Sequence, residues 1–399
     1  MNDLKEKLFK LIEERENEMI EIRRHLHQYP ELSFEEENTA EYIKSFYQDK
    51  NVKISQPVKD EHGIIVEING GKEGRTIGLR ADFDALPITE EADVPFKSTN
   101  EGVMHACGHD VHTAYLMGLA DALIELKEEL PGTIKIIHQH AEEKPPGGAK
   151  AIVESGALDD IDEIYGIHIV PVANPDFIGY HKGKAFSGSS TFKLTINGLG
   201  GHAASPHKTH DALVAGTNFV NTIQTVVSRR IDPLEMGVIT IGAFEAPGGY
   251  NVIQDSVTIK GTARYLNPDY EEKMYEEIKK ISDSIALGFD VECNLDYHYG
   301  YPVLYNHEEQ TDKMVDILEK SKGDYFNHLI EIPQASGSED FAYYLQKIPG
   351  TFYIVGSKPE NTDTPYMNHH PKFEVNEDCM AVASKSLGEI VLNRLDLES

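Results

Sequence analysis

The sequence predicts an α/β fold with a mostly parallel sheet, interrupted by a smaller inserted domain, and three observations carry that expectation. In the first half of the chain, short β-branched apolar runs alternate with longer stretches of helical periodicity. Strands buried on both faces by crossover helices have this pattern. Beyond about Gly183 the order becomes strand, helix, strand, strand, helix, strand, which is the ferredoxin-like βαββαβ arrangement. After Tyr297 the first style returns, so the larger domain spans 1–183 and 298–399 and the insertion spans 184–297.

The elements follow in order. Residues 4–27 read as one amphipathic helix, ended by Tyr29-Pro30. Residues 34–47 read as a second, with Ser33 as its cap and Glu36 three positions on completing a capping box. Apolar runs at 63–68, 76–81, 133–138 and 164–170 are strands, and 111–130 is a helix stopped by Pro131-Gly132. In the insertion, 190–197, 237–244, 256–265 and 291–297 are strands, whereas 210–229 and 268–286 are helices. The larger domain resumes with a helix at 309–320, a strand at 351–355 and a helix at 377–395.

Composition restricts the partners. Against 67 Asp and Glu the 399-residue chain sets 37 Lys and Arg, a formal charge of −30 that repels nucleic acid and anionic membrane surfaces. No apolar run approaches the roughly 18 residues that span a bilayer. The first thirty residues lack the apolar core of a signal peptide. Three cysteines, Cys107, Cys293 and Cys379, are too sparse for a disulfide framework, and the expectation is a reducing, cytoplasmic protein.

Chemistry concentrates at presumed strand ends. The run HACGHDVH (105–112) sets a thiol and an imidazole two residues apart, with Gly108 between them to let the chain bend. Those types suit a transition metal, though a Cys107–His109 nucleophilic pair and inconsequential histidines are competing readings. Glu142-Glu143 follows an apolar strand. On an extended chain adjacent carboxylates diverge, so one can ligate a metal while the other works on bound water. In a chain this acidic such a pair is also an ordinary solvated face. His168 lies in an apolar strand, either as a core imidazole or as a ligand, and His369-His370 is equally ambiguous alone. Four strand ends of one sheet thus supply Cys, His, Glu and His, where ligands of open α/β sheets collect. In the insertion, glycines precede His202, and Asn251 and Arg264 offer an amide and a guanidinium suited to a carboxylate.

Eight motifs in order carry a family resemblance: RHLHQYPELS (24–33), LRADFDALP (79–87), HACGHDVHTA (105–114), Glu142-Glu143, GIH (166–168), GLGGHAASP (198–206), SEDF (338–341) and HHPKF (369–373). Over about residues 20–375 the chain resembles the metal-dependent amidohydrolases that include hippurate hydrolase, N-acyl-amino-acid amidohydrolases and indole-acetyl-amino-acid hydrolases. The resemblance implies two divalent metal ions per chain (Zn or Mn, with Co or Ni as further options) held by Cys107, His109, Glu143, His168 and His369. It also implies Glu142 as general base, Asp84 as the aspartate that orients a ligand, and His202 as an oxyanion-stabilising histidine of a lid domain. Asn251 and Arg264 match residues holding the substrate carboxylate. The implied substrate is a small N-acyl amino acid or peptide, and the implied assembly a homodimer through the lid. Three departures stand out: His140 replaces a usual Pro, Gln254 another, and His370 beside His369 makes a rival ligand.

Two other functions fit single motifs: a Cys107-dependent acyl hydrolase or transferase, and a non-catalytic metal-dependent binding protein. The retained Glu142 argues against the latter, since binding alone needs no base.

Overall fold

In the computed structural model, residues 2–360 and 362–396 are described. The chain divides into two compact units: Met1–Gly183 with Tyr305–Pro333 and Asp340–Ser399, and Lys184–Leu304 with Gln334–Glu339.

An eight-stranded mixed sheet organises the first unit. From one edge its order is Lys53–Ser55, Ile64–Asn69, Pro131–Gln139, Lys72–Asp82, Glu163–Val170, Gly350–Gly356, Phe177–Tyr180 and His328–Glu331. The middle four strands run parallel, with Leu79 beside both Ile136 and Tyr165, and Ile354 beside His168. Antiparallel pairing enters on either side of them, through Ile64–Asn69 and Phe177–Tyr180. Largely parallel is therefore the right description, with mixed flanks.

Helix His109–Leu126 is apolar nearly all round because it is covered on all sides. It packs on the sheet and against helices Glu16–Gln28 and Cys379–Arg394. Gly118 permits the close approach: a Cβ there would meet the Met19 side chain at 2.4 Å. Each fully buried Leu or Ile in this layer contributes about 1.5–3 kcal/mol.

The N-terminal stretch differs from the expected single helix. It forms two, Asn2–Glu14 and Glu16–Gln28, broken at Arg15, whose guanidinium reaches Asp121 at 2.6 Å and Glu125 at 2.8 Å. Both helices thereby follow the buried helix. The expected capping box also fails. Phe34 has φ of +70°, a left-handed value no helix accommodates, and the helix is Glu37–Tyr47. Glu31 caps it instead, accepting from the N–H of Asn38 at 3.3 Å and of Thr39 at 2.8 Å.

In the second unit an antiparallel sheet is ordered Gly237–Glu245, Ser256–Tyr265, Gly188–Asn197 and Glu292–Tyr299. With helices Ala212–Arg230 and Tyr270–Phe289 it completes βαββαβ. Phe192, Leu194 and Ile196 alternate inward onto Phe219, Ile223, Met274 and Ile278. The unit extends past the expected 297 boundary. Ser189 N–H donates to Tyr301 O at 2.9 Å, and Val303 lies in its core. The segment Gln334–Glu339 also belongs here, since Ser187 N–H donates to Gly337 O at 2.9 Å. Among the described residues, no helix is long and apolar enough to cross a membrane.

Candidate metal centre

Chain direction in the parallel sheet brings the expected residues of the first unit to one end of it. Lys72–Asp82 ends at Asp82 and leads to Asp84; Pro131–Gln139 leads to Glu142 and Glu143. His168 lies near the end of Glu163–Val170, and the loop after Gly350–Gly356 carries His369. Cys107 and His109 stand at the start of the buried helix.

Three groups of side chains there hold their ligand atoms within 4.8 Å of one another: Cys107, His109 and His168; Cys107, Glu143 and His369; His109, Glu142 and Glu143. Cys107 Sγ is 3.3 Å from His168 Nε2, and His369 Nε2 is 3.1 Å from Glu143 Oε1. His109 Nε2 is buried and makes no hydrogen bond, and the buried Glu143 Oε1 has the His369 ring as its near neighbour without hydrogen-bond geometry. Orphaned buried polar atoms are costly, and here they face a thiol and further imidazoles. The set fits divalent transition-metal ions, two of them by the number of ligand groups available.

Hydrogen bonds fix which imidazole nitrogens are bare. His168 Nδ1 donates to Ile169 O at 2.7 Å and His109 Nδ1 donates to Asp84 O at 3.0 Å, leaving each Nε2 for the centre. Burial and nearby His112 hold His168 well below the usual imidazole range. Burial opposes charge on His109 too, but Asp82 and Cys107 outweigh it and raise its proton affinity.

Asp84 braces this arrangement. Its Oδ1 is 3.1 Å from His109 Nδ1, while Oδ2 accepts from Ser33 Oγ at 2.6 Å and from Glu143 N–H at 2.9 Å. Asp82 sits one layer behind. It lies 2.6 Å from Arg80 Nη1 through Oδ2 and 2.6 Å from His112 Nδ1 through Oδ1. His112 Nε2 accepts from Ile169 N–H at 3.0 Å, so both of its nitrogens are used. The geometric group of Asp82, His109 and His112 is consequently a hydrogen-bonded support.

Backbone conformation shapes the rest. Gly108 has φ of +95°, and a Cβ there would meet the Ile169 side chain at 2.6 Å, so glycine is what allows Cys107 and His109 to converge. Glu142-Glu143 lies in a bend after Ala141, whose φ is +53°, and not on extended chain; the turn brings a carboxylate oxygen of each within 4.8 Å of the other and of a His109 ring nitrogen. His369 has φ of +69° and its N–H donates to Ala106 O at 2.7 Å, which ties it to the Cys107 loop. His370 stacks on Tyr366 with centroids 4.3 Å apart, and its Nδ1 accepts from Lys372 N–H.

The other expected site residues belong to the second unit. His202 is exposed on the short strand Gly201–His202, paired with Val252–Ile253, and its Nδ1 accepts from Ala204 N–H at 3.1 Å. Asn251 is exposed, and its carbonyl accepts from Ala203 N–H at 3.0 Å. Arg264 is partly buried on Ser256–Tyr265 and donates to Ser338 Oγ at 2.8 Å.

Sequence reasoning missed several supporting residues. Ser33 serves Asp84. Glu36 accepts from Ala141 N–H at 2.8 Å. His27 bridges Asp110, at 2.8 Å, and Glu90, at 3.0 Å, beside the helix start. The family-like motif RHLHQYPELS contained the signal for Ser33 and His27 without their roles.

Fold and site together define a metallohydrolase with a multi-ligand centre at the carboxyl end of a parallel sheet. The chain belongs to peptidase family M20/M25/M40, whose profile matches residues 78–393. It is 38% identical over 381 residues to N-acetyl-L-cysteine deacetylase of Bacillus subtilis (strain 168), covering 96% of this chain and 89% of the relative. It is 35% identical over 384 residues to thermostable carboxypeptidase 1 of Saccharolobus solfataricus, covering 96% of each. The solved YXEP protein of Bacillus subtilis, a dinuclear metal binding peptidase of the M20 family, superposes with a TM-score of 0.81 at 30% identity, covering 96% of this chain and 99% of that one.

Proposed function

We propose that this protein is a metal-dependent amidohydrolase that cleaves the amide bond of small N-acyl amino acids or short peptides. The observation that carries the reading is the buried Nε2 of His109, which makes no hydrogen bond and is grouped with Cys107 and His168 and with Glu142 and Glu143, while Glu143 in turn is grouped with Cys107 and His369. These five residues are the ligands of two divalent ions. The mixed thiolate, imidazole and carboxylate set suits Zn²⁺ or Mn²⁺, with Co²⁺ or Ni²⁺ as substitutes.

Bound ions supply a water of lowered pKa and polarise the substrate carbonyl. Glu142, buried beside His109 and Glu143, accepts the proton of the attacking water and delivers it to the departing amine. Asp84 orients His109 and the Glu143 backbone. In neutral His202, the Nδ1 that accepts from Ala204 N–H leaves the proton on Nε2, where it donates to the oxyanion. Such a donor contributes typically about 3–4 kcal/mol. Asn251 and Arg264 receive the substrate carboxylate, and the unit built on Lys184–Leu304 acts as lid and dimerisation domain. The exposed Val238 and Phe244 on the edge strand Gly237–Glu245 support pairing of two such units. The homodimer works in the cytoplasm, which suits its unpaired cysteines.

The test is a panel of N-acetyl and N-benzoyl amino acids and dipeptides, assayed with EDTA and metal add-back. Chelator-sensitive cleavage restored by Zn²⁺ or Mn²⁺ is expected. Chelator-resistant activity abolished by iodoacetamide would instead favour Cys107 as a nucleophile.

A further inference from the structure

We propose that Glu36 is a positioning residue for Glu142, holding the peptide of Ala141 in the left-handed turn that aims the carboxylate. The inference rests on Glu142 being the general base.

Ala141 is fully buried with φ of +53°, a conformation that is strained for a residue with a Cβ and persists only if its surroundings enforce it. Two hydrogen bonds do so. Glu36 Oε1 accepts from Ala141 N–H at 2.8 Å, and Gly148 N–H donates to Ala141 O at 3.2 Å. One residue beyond Glu142, the N–H of Glu143 is held by Asp84 Oδ2 at 2.9 Å. The backbone on both sides of Glu142 is therefore clamped by carboxyl groups from two other segments.

Away from its own turn, the Glu36 side chain has the Ala141 peptide as its hydrogen-bond partner. Glu36 immediately precedes helix Glu37–Tyr47, yet its side chain makes no cap bond there, because Glu31 takes the N–H groups of Asn38 and Thr39. It is completely buried, and its Oε2 has no hydrogen-bond partner. An ionisable group is expensive in such a place unless it serves a neighbour. Burial and the nearby Asp84 charge push the carboxyl up to about 8, while its Oε1 accepts from the Ala141 N–H. Its loss would strand the buried Ala141 N–H and free the turn to relax toward φ below zero, swinging Glu142 out of line.

The experiment compares metal-loaded wild type, Glu36→Ala, Glu36→Gln and the double variant Glu36→Ala/Ala141→Gly on the best substrate of the panel. For Glu36→Ala, kcat should fall roughly 10–100-fold, with KM and metal content unchanged. Glu36→Gln keeps a carbonyl acceptor and should stay within about threefold, which a requirement for charge would not allow. Glycine adopts positive φ without strain, so the double variant should recover about tenfold over Glu36→Ala. Should Glu36→Ala fail to fold, Glu36→Met preserves the volume while removing the acceptor, and the same loss of kcat is expected. Full kcat in the acceptor-less variant, a Gln variant as poor as Ala, metal lost in step with activity, or no recovery in the double variant would each overturn the proposal. Full turnover by Glu142→Ala would overturn the base assignment itself. An inactive Glu142→Ala beside a fully active Glu36→Ala would overturn only the role of Glu36.

Discussion

The carboxylate of Asp84 spans two ligand segments, accepting from the backbone N–H of Glu143 through Oδ2 at 2.9 Å while Oδ1 lies 3.1 Å from His109 Nδ1. One buried side chain thus sets the direction of a neighbouring imidazole and the path of a neighbouring turn. Asp84→Asn preserves the shape but presents an amide that cannot accept from both sides. Metal affinity, read by competition with a chelator, should fall about 10–100-fold. An unchanged affinity would remove Asp84 from the supporting role.

His112 separates geometric proximity from ligation. With Nδ1 on Asp82 and Nε2 on Ile169 N–H, it has no nitrogen left for an ion. His112→Asn should retain the wild-type metal count by elemental analysis while losing about 1–3 kcal/mol of stability for the stranded buried partners. Loss of one metal equivalent would make His112 a ligand.

The adjacent histidines of the last loop should behave oppositely. His369→Ala should lose metal and activity together, because its Nε2 faces Glu143 at 3.1 Å. His370→Ala should keep its metal, since that ring stacks on Tyr366. The reverse pattern would exchange the assignments.

A pH signature belongs to His27. Burial and Arg23 oppose its charge, but Asp110 and Glu90, one at each ring nitrogen, outweigh them and raise its pKa above the ordinary 6.5. The folded state thus binds this proton more tightly than the unfolded state. The stabilisation is fully present below about 6.5 and is lost as pH rises through the raised folded value. Removing one member of a buried ion pair costs about 3–5 kcal/mol. Urea denaturation of wild type and His27→Ala should show the largest gap in acid and a narrowing gap as pH increases. A gap independent of pH would mean that His27 acts through packing alone.

The legible parts of this molecule are those written in local pattern. Strand Pro131–Gln139 and helix His109–Leu126 declare themselves by β-branched runs and periodicity, because a segment buried on both faces has few polar positions to confuse it. Phe177–Tyr180 and His328–Glu331 are four-residue strands, too short to carry a period, and the parallel pairing between them is a tertiary event. At the site, the candidate ligands were recognisable as residue types at strand ends. Ser33 and Glu36 were not, since each looked like half of a local capping box. Their true partners, Asp84 and Ala141, lie far along the chain, and no short-range rule sees across that distance.

The insertion of strand Gly350–Gly356 beside Glu163–Val170 has a consequence for biosynthesis. His369 is added to the centre roughly 200 residues after His168, and the buried helix Cys379–Arg394 follows it. A growing chain can finish Cys107, His109, Glu143 and His168 while still lacking the segment that closes the set. Products cut short ahead of that loop would carry most of the cluster, yet hold their ions weakly and leave the sheet open where Gly350–Gly356 belongs. On the proposed ligand set, full loading with metal would wait for the loop that carries His369, among the last segments to be made.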